Sequence, residues 1–147
     1  MTVVALLADP PRPGLRFPDL AETSPLNEDE VAELAAAMDR DAMRAAERSG
    51  ADLLVNYLPD DLLDEEYHTD ASSEAEVRAL AADALENVGD VRFEPQVGST
   101  PSARVGNTVT HLLEEEEVGS VAMLPGTTPF VTRTGIDSSA MKLRTND

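Results

Sequence analysis

Four short apolar runs, at 2–8, 52–57, 91–94 and 120–124, constrain this chain more than any other feature, because segments with helical spacing separate them. The first, Thr2-Val3-Val4-Ala5-Leu6-Leu7-Ala8, is continuously apolar, which suits a strand covered on both faces, as in a parallel sheet. Strands alternating with helices imply right-handed βαβ crossovers. The expected fold class is therefore α/β, a Rossmann-like three-layer αβα sandwich with a mainly parallel sheet. Over 147 residues this predicts a single α/β domain spanning 1–147, or the front part of a longer one.

The intervening segments carry their own boundary signals. Asn27-Glu28-Asp29-Glu30 predicts a capped helix start, followed by an apolar face of Val31, Leu34, Ala35, Met38, Ala42 and Ala45, and by Gly50 after the helix. Ser72 or Ser73 caps a second helix whose face runs Val77, Leu80, Ala81, Ala84, Leu85 and Val88. Pro101 opens a third, with Val105, Val109, Leu112 and Leu113 inward and Glu114 to Glu117 as a solvated end. Asp137 is expected to cap a fourth, reaching Arg144. From Asp9 through Phe17, Pro18 and Pro25 the prolines predict loop. The run at 120–124 reads as a buried strand, with a small hydroxylic loop behind it.

Composition bounds the chemistry. Aromatics are 3% of the chain, so the core must be aliphatic; the absence of cysteine removes disulfides, thiolate metal sites and a cysteine nucleophile. The net charge is −18, from 29 acidic against 11 basic residues, and Lys142 is the lone lysine. Such a surface predicts a halophilic cytoplasmic protein, because molar salt screens the self-repulsion. It predicts no nucleic-acid binding, which needs a basic footprint. No apolar run is long enough for a membrane span.

Three junctions can bind a ligand. Open α/β sheets bind ligands outside the carboxyl ends of their strands. Pro11-Arg12-Pro13-Gly14-Leu15-Arg16 follows the first strand; Arg12 and Arg16 can grip phosphate around Gly14, or be solvated on a structural turn. Gln96, Gly98, Ser99 and Arg104 stand where the third strand meets its helix, whose N-terminus favours an anion; the alternative is a plain turn with a surface arginine. Gly126-Thr127-Thr128 can offer the Thr127 and Thr128 hydroxyls to phosphate or sugar, or be an ordinary turn. No metal ligand set is visible. His68 and His111 each lack a second histidine at metal spacing and read as structural or solvated.

In this order the residues resemble a known family. Pro11-x-Pro13-Gly14 after the first strand, Asp41 late in the first helix, Gln96-x-Gly98 with Arg104, and Pro129 followed by Ala140 and Leu143 are similar to the glycosyltransferase-A-type nucleotide-diphospho-sugar transferase-like proteins. That group also includes the archaeal 2-phospho-lactate guanylyltransferases. The resemblance implies a nucleotide or nucleotide-sugar ligand, with Mg2+ or Mn2+ accompanying the bound nucleotide. It breaks at two motifs. Where the family carries Lys-Thr-Arg-Leu for phosphate, this chain has Phe17-Pro18-Asp19-Leu20, and where the family places a metal-binding Asp, Thr127 stands. The family's further Gly-Pro…Asp-Gly-Gly strand is not in the sequence. Two expectations follow: a divergent nucleotide or nucleotide-sugar binder with degenerate catalytic motifs, or a non-catalytic descendant that forms homo-oligomers or binds a protein partner.

Overall fold

The computed structural model describes residues 1–128 and 130–145. Its elements are β1 (Thr2–Ala8), α1 (Pro18–Thr23), α2 (Glu28–Arg48), β2 (Asp52–Tyr57), α3 (Ser73–Ala84), β3 (Arg92–Pro95), α4 (Pro101–Thr110), β4 (Ser120–Pro125) and α5 (Arg133–Thr145). Short 3-10 turns at Asp60–Leu62, Glu65–Tyr67 and Val88–Asp90 and a π turn at His111–Glu115 complete them. The sheet is wholly parallel with order β3-β2-β1-β4. After β3 the chain crosses back over β2 and β1, so the topological switch point lies between the carboxyl ends of β1 and β4.

Alternation along the strands divides the core. Val4, Leu6, Ala8, Leu53, Val55 and Tyr57 pack with Ala42, Met43, Ala46, Val77, Ala81 and Ile136 from α2, α3 and α5. Val3, Ala5 and Leu54 turn the other way, against Leu112 and Val118 after α4. The expected α/β architecture, with helices on both faces of a parallel sheet, is the one observed.

Several boundaries differ from expectation. Residues 18–23 form α1 rather than loop, because Pro18 occupies the first helical position, where its missing N–H costs nothing. The α2 stripe is Val31, Ala32, Ala35, Ala36, Asp39, Ala42, Met43 and Ala46; Leu34 is exposed, and Met38 and Ala45 lie at the margin. Helix α3 stops at Ala84 instead of Val88. Arg44 Nε donates to the Ala84 carbonyl at 3.2 Å, and Glu47 accepts from the Glu86 and Asn87 N–H groups at 3.1 and 3.0 Å. Side chains of α2 thus satisfy the backbone of the segment that leaves α3. Leu113 is exposed because the π turn interrupts the helical phase that would have carried it inward. Asp137 lies inside α5 and caps nothing there: Thr132 Oγ1 accepts from Gly135 N at 3.1 Å, while Asp137 Oδ1 accepts from Gly50 N at 2.7 Å. The fourth strand is half-buried rather than buried, since β4 pairs with β1 alone among the described residues.

Candidate functional site

The loop after β1 holds two arginines, and both point into the protein. Arg12 is 3% exposed. Its Nε donates to Glu76 at 2.8 Å, Nη1 to Asp60 at 2.6 Å and to the Tyr67 carbonyl at 3.0 Å, and Nη2 to the Ala71 carbonyl at 3.1 Å. Burial alone would lower its pKa, but Asp60 and Glu76 more than offset that and raise it. Arg12 therefore ties the β1 loop to the acidic segment 58–72 and to α3. Gly14, with φ +79°, makes the turn that a side chain would strain. Arg12 is not placed to receive a phosphate in this arrangement.

Arg16 lies at the switch point. Its Nε donates to Asp9 at 2.7 Å and its Nη1 to Asp39 at 3.1 Å. Asp39, 1% exposed, projects from α2 toward the end of β1. Desolvation dominates its titration and pushes its pKa up to about 6, against the opposing pull of Arg16. Gly126 closes the site from the β4 side; a Cβ there would fall 1.8 Å from Asp39 Oδ1 and 2.9 Å from the Leu7 carbonyl oxygen. The void left among Asp9, Arg16 and Asp39 is about 10 Å³, room for one water at most. Thr128 Oγ1 donates to the Pro125 carbonyl at 2.6 Å, and Thr127 is half-buried beside it. The switch point is filled by the chain's own Arg16–Asp39 pair.

Space opens instead between the ends of β2 and β3 and the inner side of α4. A cleft of about 430 Å³ is lined by Asn56, Glu94, Pro95, Val97, Asn107, Thr108 and His111. Its floor is a hydrogen-bonded lattice. Asn56 Nδ2 donates to the Glu94 carbonyl at 3.1 Å, Thr108 Oγ1 to Asn56 Oδ1 at 3.0 Å, and Gln96 Nε2 to the Asn56 carbonyl at 3.0 Å. Gln96 is buried and fixes the backbone; Ser99 is exposed. Gly98, with φ +136°, passes so close to α4 that a Cβ would meet Arg104 N at 2.9 Å. Thr100 caps α4 by accepting from Ala103 N at 3.1 Å. Arg104 stands one turn before Thr108 on the same side of the helix. Its Nη1 reaches the Gly98 carbonyl at a long 3.4 Å, and its Nε, shielded from solvent, has no hydrogen-bond partner.

The structure thus groups Gln96, Gly98, Ser99 and Arg104 beside one cleft, and separates them from Arg12, Gly14, Arg16, Thr127 and Thr128. Two groups of residues escaped the sequence reading. Asp39, not the exposed Asp41 that pairs with Arg44 at 3.2 Å, is the acid at the switch point. Its signal was its place on the apolar stripe, four residues after Ala35 and three before Ala42. Glu94, His111 and Glu116 meet near the rim of the cleft, with ligand atoms within 4.8 Å of one another. Only the π turn brings them together, and the sequence carries no mark of it.

No family model and no curated protein sequence matches the chain. Among solved structures it is similar to one described as a "putative nucleotide-diphospho-sugar transferase" from Desulfovibrio desulfuricans G20, with a TM-score of 0.79 and 17% identity. The match covers 98% of this chain and 55% of that one, so the chain spans about half the length of its structural neighbour. At this identity the likeness is one of fold. No helix among the described residues is long and apolar enough to cross a membrane.

Proposed function

We propose that this protein binds a nucleotide or nucleotide-sugar in the cleft between β2, β3 and α4. One observation carries the reading: Arg104 holds a buried, unpartnered Nε at the N-terminal turn of a capped helix beside an open cleft of about 430 Å³. Buried donors are otherwise paired, so a ligand anion is the natural acceptor. The α4 N-terminus adds a favourable dipole. In this reading Gly98, Ser99 and Arg104 face the ligand, and Gln96 shapes their loop. Thr127 and Thr128 stand ready for a sugar should the switch point open. Arg12, Gly14 and Arg16 act as scaffold. The closer relation to 2-phospho-lactate guanylyltransferases, and work in a halophilic cytoplasm, belong to this proposal. Transfer activity would draw Mg2+ or Mn2+ with the nucleotide.

A second reading is a non-catalytic, self-associating descendant. It is favoured by the filled switch point and by β4, which leaves one edge unpaired among the described residues. Residues 118–132 contain no charge although the chain carries −18. At an uncharged edge two copies could approach without repulsion.

A thermal-shift screen in molar KCl with GTP, CTP, UTP and nucleotide-sugars, each with and without Mg2+ or Mn2+, tests the first reading. A ligand at a hundredfold excess over Kd stabilises by about 2.7 kcal/mol. The expected result is a shift that Arg104→Ala abolishes. No shift in a folded protein, with a dimer by light scattering, would favour the second.

A further inference from the structure

The π turn after α4 does something that an α-helix would not. Successive residues of an α-helix advance by about 100°, which sets positions five apart about 140° from each other. Here Glu116 N donates to the His111 carbonyl at 3.3 Å, a bond across five residues. The wider turn places Glu116 under His111, and His111 Nε2 lies 3.2 Å from Glu116 Oε1. Glu94, from the neighbouring end of β3, completes a set whose ligand atoms lie within 4.8 Å of one another. The three groups come from β3 and from the turn that closes the next helix, α4. Single-turn π insertions are frequent at functional sites.

We propose that Glu94, His111 and Glu116 form a binding site for a divalent transition-metal cation of the Zn2+ or Mn2+ class. One imidazole and two carboxylates are a nitrogen–oxygen set that suits these ions. In tetrahedral geometry with bonds of about 2.1 Å, ligand atoms stand about 3.4 Å apart, which small side-chain rotations reach from the observed spacing. The second shell is present too. Glu115 Oε2 lies 2.9 Å from His111 Nδ1 and can accept its N–H, so a metal that displaces the Nε2 proton now facing Glu116 would find the ring already oriented. Two of the three residues, Glu94 and His111, also line the cleft.

Arg92 is the resident competitor. Its Nη1 and Nη2 donate to the two oxygens of Glu116, each at 2.6 Å, and Nη2 also reaches Glu94 at 2.5 Å. The guanidinium thus balances the carboxylates that a metal would take. Its side chain is 45% exposed, so it can swing into solvent when displaced. The site stands whether or not a nucleotide binds, because none of its ligands depends on Arg104.

The test is titration of the whole chain with MnCl2 followed by EPR of free Mn2+, and with ZnCl2 by calorimetry, in 2 M KCl to suppress diffuse binding to the acidic surface. The expected result is one site, weakened at least tenfold in His111→Ala and in Glu116→Gln and unchanged in Glu114→Gln. Arg92→Ala should bind about tenfold more tightly. Equal binding by the parent and His111→Ala, no site in the parent at millimolar metal, or no tightening in Arg92→Ala would each overturn the proposal. Circular dichroism of each variant establishes that it is folded.

Discussion

Gly126 and Asp39 show how tightly single residues are specified at the switch point. Because a Cβ at 126 would overlap Asp39 Oδ1, Gly126→Ala must push α2 or β4 aside. Overpacking of this kind costs about 1–3 kcal/mol, and we expect at least about 2 kcal/mol in urea denaturation. Asp39 makes a pH prediction. Its folded pKa, about 6, lies above the ordinary 3.8, so its contribution to stability is complete below pH 4 and is lost as pH rises through 6. The difference corresponds to about 3 kcal/mol. Asp39→Asn should therefore gain on the parent by about that amount between pH 4 and pH 7, and a pH-independent difference would contradict the burial assigned to Asp39. The acid was legible as a polar interruption of an apolar stripe. Its alignment with Arg16 was not, because Arg16 sits in a loop whose path depends on Phe17 at φ +50°.

Among the elements, α2 does more than cover the sheet. It supplies Asp39 to the switch point and Arg44 and Glu47 to the end of α3. The loop after β1 is fastened in the same manner by Arg12. Removing one partner of a buried ion pair leaves the others uncompensated, so Arg12→Ala should cost about 2–3 kcal/mol, discounted because Asp60 and Glu76 are partly solvated. The 58–72 segment should then become the first site of limited proteolysis; unchanged cleavage would mean that the segment is held by other contacts. The Asn27 capping box, the Ser72 cap and the Pro101 start of α4 were readable from short-range signals, since each depends on residues within one turn. The early end of α3 and the π turn were not. The first depends on side chains of α2, and the second on a backbone choice that local composition does not dictate.

At the scale of the molecule, the order of apolar runs was enough to give a parallel α/β sheet, because alternation and crossover handedness leave few topologies. It did not say which strand would be central. β1 and β2 are buried, while β4, apolar after Ser120, lies at an edge. Apolarity reports what a strand can tolerate, whereas its position depends on which strands pair with it. The net charge of −18 gives a further expectation. The Debye length falls from about 10 Å at 0.1 M salt to about 3 Å at 1 M, so the melting temperature should rise steadily with KCl over that range. A flat response would mean that the acidic surface carries little net repulsion.

The proposal places ligand binding in the cleft beside α4 and not at the switch point, which the Arg16–Asp39 pair fills. A 15N–1H correlation titration with GTP or UTP in molar KCl, with the arginine Nε–H resonances resolved, addresses it directly. The account predicts shifts concentrated at Gly98, Ser99, Asn107 and the Arg104 side chain, with Asp9, Arg16 and Gly126 undisturbed. Shifts centred on Arg16 and Gly126–Thr128, or none at all, would contradict it.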